Sequence, residues 1–162
     1  MSKDEITLRP IGPNDLDFIC DLVNNSEVTK YIGGLIQDKN MLRTWIDHLA
    51  EANHEFIIVL DDVPIGECSL TVNGNNSEIG YMIHPEYWNQ GVGTDTVRRL
   101  LSLAKSQGLK ETTAVTDTNN TASVRILEKT GFRPDAIGWW MTGEELESLK
   151  MGRTIVTYRR EL

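Results

Sequence analysis

The stretch Ile79-Gly80-Tyr81-Met82-Ile83-His84-Pro85-Glu86-Tyr87-Trp88-Asn89-Gln90-Gly91-Val92-Gly93-Thr94 decides how the chain folds. Ile79 to Ile83 are apolar or glycine, long enough for a buried strand. Pro85 ends that strand because it has no N–H to give a ladder. Gly91 and Gly93 permit backbone angles that side-chained residues avoid, and a helix begins directly after them. Its apolar stripe is Val97, Leu100, Leu101 and Ala104, at i, i+3, i+4 and i+7. A glycine-rich turn that opens a helix leaves N–H groups without internal partners at the positive end of the helix dipole. That is a seat for a phosphate.

Upstream of this stretch the pattern has period two. Phe56 to Leu60 reads as a strand, Asp61-Asp62 as a turn, and Cys68, Leu70 and Val72 alternate with Glu67, Ser69 and Thr71 as in a half-buried strand. Asn73-Gly74-Asn75-Asn76 then makes a hairpin loop into the quoted strand, completing an antiparallel meander. Earlier still, Ile6 to Arg9 reads as a short strand. A helix follows with Leu16, Ile19, Cys20 and Val23 on one side and ends near Asn24-Asn25. Ser26 is placed to cap a short turn carrying Val28, Tyr31 and Ile32, which Gly33-Gly34 breaks. Asp38 caps the next helix, with stripe Leu42, Trp45, Ile46 and Leu49.

Downstream, Gly108-Leu109 closes the helix that follows the glycine turn, and Thr112 to Asp117 is a strand. Strand, helix, strand makes a crossover, so these two strands lie parallel. Asn119-Asn120 starts a helix with Ser123, Ile126, Leu127 and Thr130 on one face, closed by Gly131-Phe132. Two further strands are expected at Ile137 to Met141 and Thr154 to Arg159, with a turn of helix near Glu144 to Leu149. The fold class is α+β: a single domain over residues 1–162, its mixed and mostly antiparallel sheet flanked by helices.

Composition narrows the function classes. The 162 residues carry a net charge of −8, which argues against nucleic acid as a main partner. Cys20 and Cys68 have no metal-site spacing and no metal is expected. No apolar run approaches membrane-spanning length, so a cytoplasmic protein is expected, with no membrane partner. Two known phosphate motifs fail. A P-loop needs Lys-Ser/Thr where Thr94-Asp95 stands, and a dinucleotide fingerprint needs a third glycine and glycines close behind the strand.

A different pattern fits. Gln90-Gly91-Val92-Gly93-Thr94-Asp95 resembles the acyl-CoA pyrophosphate loop of the GNAT superfamily of N-acetyltransferases. Gly80 to Pro85, Asn120-x-x-Ser123 and Glu128 to Phe132 are similar to that superfamily as well. The Tyr87-Trp88-Asn89-Gln90-Gly91 spelling, Ser123 and Leu8-Arg9-Pro10 are most similar to its RimJ/RimL-like branch, which includes enzymes that acetylate protein N-terminal amines.

The resemblance implies that acetyl-CoA is the acyl donor, bound in a cleft where the parallel strands meet. Backbone groups near Met82 and Ile83 would hold the pantetheine arm, and Gln90, Gly91, Val92, Gly93, Thr94 and Asp95 the pyrophosphate, with Asp95 turned outward on the first turn. Asn120 would either bond the pantetheine or cap its own helix. Glu78, on the same strand face as Met82, is the first candidate for the base, through a water, and Glu67 is the second. Where many superfamily members present a tyrosine to the leaving thiolate, this chain has Leu127, which cannot donate. Ser123, one turn earlier, offers a hydroxyl to sulfur or to its own helix. Tyr31, Gly33-Gly34, Trp45 and the pair Trp139-Trp140 are candidates for the acceptor side. The expected activity is acetyl transfer to a primary amine, of a protein N-terminus or a small molecule, by a monomer or homodimer. The alternative is a weak or inactive acyl-CoA-binding module serving as a sensor or interaction subunit.

Overall fold

The computed structural model describes residues 5–33, 38–52, 54–135 and 155–162. Strands β1 (Thr7–Pro10), β2 (Glu55–Leu60), β3 (Val63–Asn73), β4 (Asn76–Ile83), β5 (Glu111–Asp117), β6 (Arg133–Pro134) and β7 (Ile155–Glu161) form a sheet in the order β1-β2-β3-β4-β5-β7-β6. Every pairing among the described residues is antiparallel except β4 with β5, which is parallel. Helices α1 (Leu16–Asn24), α2 (Ser26–Thr29) and α3 (Lys39–Ala52) come before the meander, α4 (Val92–Ser106) joins β4 to β5, and α5 (Thr121–Lys129) follows β5.

Local chemistry sets these boundaries. Asp61 and Asp62 both have positive φ (48° and 64°), as a two-residue hairpin turn needs to match strand twist. Asp38 Oδ1 accepts from the Asn40 and Met41 N–H groups at 3.0 and 2.9 Å, which caps α3. Ser26 is not the cap of α2: Asn25 is, accepting from Glu27 and Val28 N–H. Gly108 (φ 73°) and Gly131 (φ 91°) close α4 and α5, each followed by an apolar residue bonded back into the last turn. The tail strand is described over Ile155–Glu161, and the readings for Ile137 to Met141, Glu144 to Leu149 and Thr154 lie outside the described residues.

Register sorts the meander into two faces, because residues opposite one another in adjacent strands share a side. Ile57, Glu67 and Met82 are in one row, with Gly80 and Glu78 on the same side of β4. That side packs on α1 and α3 through Ile19, Leu42, Ile46 and Ile57. Phe56, Cys68 and Tyr81 are in the opposite row, with Ile79 and Ile83. Here Val97, Leu100, Leu127 and Phe132 complete the larger core beneath α4 and α5. Glu67 breaks the expected alternation: its strand neighbours Gly66 and Cys68 are buried, and Glu67 itself is only 6% exposed.

The parallel ladder between β4 and β5 runs from Asn76↔Glu111 to Ile79↔Ala114 and stops, although β4 continues to Ile83 and β5 to Asp117. Beyond Ile79 each strand follows its other neighbour: β4 stays paired to β3, and β5 to β7. The closed end is fastened by hydroxyls, with Ser77 Oγ 2.8 Å from Thr112 Oγ1 and Thr113 donating to the Ser77 carbonyl. A wedge therefore opens between Gly80–Ile83 and Val115–Asp117.

Candidate active site

Helix α4 begins at the mouth of this wedge. Gly91, its N-cap, has φ 83°, and no side chain caps the helix. The first intrahelical bond is Asp95 N–H to the Gly91 carbonyl at 3.0 Å, so the amides before Asp95 have no acceptor inside the helix. Val92, Gly93 and Thr94 are buried, and Asp95 turns outward to Arg98 at 3.4 Å. The two glycines do different work. A Cβ on Gly91 would meet nothing within 4 Å, so glycine is there for its backbone angle. A Cβ on Gly93 would come within 2.6 Å of Ile126 Cδ1, so glycine there lets α4 close on α5. From sequence alone both glycines are expected for backbone freedom, which holds for Gly91 and not for Gly93.

The loop before the helix is braced by its own side chains. Gln90 Nε2 donates to the Glu86 carbonyl and Trp88 Nε1 to the Ile83 carbonyl, both at 2.7 Å. The Tyr87-Trp88-Asn89-Gln90-Gly91 spelling by itself gives Trp88 no separate role. Nothing in periodicity marks an indole that reaches back to the strand end.

Backbone direction along β4 is fixed at both ends. His84 N–H bonds Ile65 of β3, whereas the Asn75 carbonyl accepts from Lys110 just before β5. Strand alternation then turns the amide and carbonyl of Tyr81 and Ile83 toward the wedge, and those of Met82 toward β3. Of the two residues expected to hold the arm, Ile83 turns its backbone toward the wedge and Met82 turns its own toward β3; Tyr81 faces the wedge beside them.

Across the wedge stands the start of α5. Asn120 Oδ1 accepts from Ser123 N–H at 3.2 Å, so Asn120 does cap its helix. Ser123 Oγ is 2.9 Å from Tyr81 Oη, a contact that joins β4 to α5. Leu127 is 1% exposed and belongs to the core.

On the opposite face of the sheet, Glu78 is exposed, facing Thr71 of β3 and Thr113 of β5 at the closed end of the wedge. Glu67 lies directly across from Met82. Burial pushes the Glu67 carboxyl well above the usual range, and its hydrogen bond with Glu55 and the charge of Glu55 add to the rise. Glu55 is raised too by burial, which the Glu67 hydrogen bond and His54 partly offset. Both carboxyls are thereby held toward the protonated form, Glu67 the more strongly. Trp45 is half-buried against the α1/α3 core, Lys30 Nζ sits 5.2 Å from the Tyr31 ring centre, and Gly33 is exposed. Gly34, Trp139 and Trp140 lie outside the described residues. An open groove of about 940 Å³ lies away from the wedge, between Leu8 and Phe56 and the outer side of α4. Its cations are already paired, Arg98 with Asp95 and Arg99 with Glu5.

The proton that burial holds on Glu67 has a stability consequence. The folded chain holds it more tightly than the unfolded chain, so its contribution is full below the ordinary glutamate range. It is lost as pH rises through the folded-state value. Glu67→Gln keeps the hydrogen-bonding shape without the charge. It is expected to be more stable than wild type at alkaline pH by about 1–3 kcal/mol, the gap closing toward acid. Thermal unfolding at several pH values checks this. An unchanged fall in stability with pH in the variant would contradict it.

The acetyltransferase (GNAT) domain model matches residues 5–133. The chain belongs to the GNAT acetyltransferase family. It is 30% identical over 156 residues to the uncharacterized N-acetyltransferase YoaA of Bacillus subtilis (strain 168), covering 85% of this chain and 84% of that protein. Membership makes it an acetyl-CoA-dependent N-acetyltransferase. The same GNAT fold occurs in the spermidine N-acetyltransferase of Vibrio cholerae solved with CoA and spermine, at TM-score 0.79 and 20% identity, covering 98% and 96% of the two chains. RimL, the ribosomal L7/L12 alpha-N-protein acetyltransferase, shares it at TM-score 0.77 and 14% identity, covering 100% and 93%.

The residues present fit coenzyme A. Uncapped amides at α4 suit a diphosphate. The wedge-facing backbone of Tyr81 and the Ile83 N–H suit an amide-bearing arm that pairs like an added strand, the Ile83 carbonyl being taken by Trp88.

Proposed function

We infer that this GNAT protein transfers the acetyl group of acetyl-CoA to a primary amine, of a protein N-terminus or a small molecule. The observation that carries the reading is the parting of β4 from β5 after Ile79, with the uncapped amides of α4 at its mouth. Acetyl-CoA supplies an acyl group already activated as a thioester. The amides from Gly91 to Thr94 bind the diphosphate, Gln90 and Trp88 brace that loop, and Tyr81 and Ile83 take the arm along β4. Asn120 and Ser123 close the other wall. Glu78 draws the surplus proton from the acceptor ammonium through a water, on the α1/α3 face that also carries Glu67 and Glu55. The exposed Glu78 and the net charge of −8 favour a cationic acceptor. We place the protein in the cytoplasm, as a monomer or homodimer.

A panel of N-terminal peptides, polyamines and aminoglycosides with acetyl-CoA tests this by thiol release. Turnover well above background with at least one amine class is expected, and none across the panel would count against it. One observation favours a second reading, a weak or inactive acyl-CoA-binding module. Leu127 is sealed in the core where a tyrosine would meet the leaving group. Saturable CoA binding with no turnover would select it.

A further inference from the structure

We propose that Tyr81 is a positioning residue that acts through Ser123, turning the serine hydroxyl toward the sulfur of the acyl donor. The proposal rests on the reading of the wedge as the acyl-CoA cleft. Tyr81 lies in the half of β4 that has left β5, and its side chain crosses to α5, where Oη is 2.9 Å from Ser123 Oγ. An arm docked at α4 and running inward along β4 must pass Tyr81. The wedge closes at Ile79, two residues or roughly 7 Å further in. The reactive end of the arm therefore lies at the level of this hydroxyl pair.

The direction of the Tyr81–Ser123 bond follows from acidity and from what else Ser123 touches. Either hydroxyl can donate in this contact, and we assign the donation to Tyr81 because a phenol is the stronger acid. The Ser123 amide is already taken by Asn120. With Tyr81 donating, the serine proton points away from Tyr81 and is available to an acceptor in the wedge. Without Tyr81 the serine hydroxyl is free to turn back to its own helix carbonyl, as serine does in helices.

Neither hydroxyl gives its proton away. Burial holds the Tyr81 phenol up to about 12, against the pull of its Ser123 hydrogen bond, whereas a free thiol titrates at roughly 8.5. As the N–C bond forms and the C–S bond breaks, the electron pair stays on sulfur and the amine's surplus proton passes to water. Ser123 supplies a hydrogen bond to the departing thiolate, which forms its strongest contact only as charge develops.

The test uses binding, so it needs no acceptor. Dissociation constants of CoA and desulfo-CoA are measured by calorimetry at about pH 7 and about pH 9.5, either side of the free thiol's titration. Wild type, Tyr81→Phe, Ser123→Ala and the double variant are compared. Wild type is expected to prefer CoA over desulfo-CoA about tenfold more at the higher pH, the size of one hydrogen bond to a charged group. Ser123→Ala should lose that gain and Tyr81→Phe should lose most of it. The double variant should match Ser123→Ala, since Tyr81 has nothing left to orient. A Tyr81→Phe variant with the full alkaline gain overturns the proposal. So does a further loss when Tyr81→Phe is added to Ser123→Ala. If wild type binds neither ligand, the cleft reading falls and the proposal with it.

Discussion

Gly91→Asp is expected to weaken coenzyme A binding at least about a hundredfold, the equivalent of losing one or two charge-assisted hydrogen bonds. Gly91 holds φ 83° with open space around its Cα, so steric obstruction is not the reason. A side chain in this region costs roughly 1–2 kcal/mol of backbone strain. Aspartate is also a preferred N-cap, and its carboxylate would accept the same amides that the diphosphate needs. The cap offsets much of the strain, so the variant should melt near wild type while failing to bind. Gly91→Ala separates the two effects: it carries the strain without the charge and should keep binding within a few fold. Calorimetric titration of the three proteins decides the matter, and wild-type affinity in Gly91→Asp would show that these amides hold no phosphate.

Gly66→Ala should cost about 2–4 kcal/mol of stability, a fall of roughly 5–15 °C in melting temperature for a chain of this size. Glycine in β3 is required by close approach, not by a turn. An added Cβ would lie 2.4 Å from the Met82 carbonyl oxygen, 3.0 Å from Ile58 Cδ1 and 3.2 Å from Ile83 Cα. Two of those neighbours are backbone of β4, which cannot rotate away as a side chain does. β4 would have to move in the part beyond Ile79, where β3 is its remaining sheet partner. The same substitution should therefore weaken coenzyme A binding. A melting temperature within about 2 °C of wild type would contradict the tight fit at this position.

The residues announced much of this architecture. Period-two patterning placed β2 and β3, the apolar run from Ile79 to Ile83 placed the end of β4, and the strand–glycine turn–helix order required the β4–β5 pair to be parallel, unlike the other pairings among the described residues. The Asp38 cap and the Gly108 and Gly131 closures were equally legible, because a cap or a left-handed residue is a local event. What local pattern does not carry is contact between distant segments. Glu67 reads as the polar half of an alternating strand, and only the register with Ile57 and Met82 and the meeting with Glu55 show it buried. Asn25 rather than Ser26 caps α2 because Asn25 is the extended residue between the two helices and its side chain accepts from Glu27 and Val28. Gly93 reads as phosphate-loop chemistry, but its missing Cβ is what Ile126 of α5 packs against. The Tyr81–Ser123 contact spans 42 residues, and no spacing rule predicts it.

The most direct measurement is a calorimetric titration of the purified chain with coenzyme A, run beside one with pantetheine, which keeps the arm and lacks the phosphates. Docking of the diphosphate on the uncapped amides of α4 predicts one saturable site for coenzyme A and affinity for pantetheine lower by at least about a hundredfold. No saturation at millimolar coenzyme A, or equal affinity for the two ligands, would contradict it.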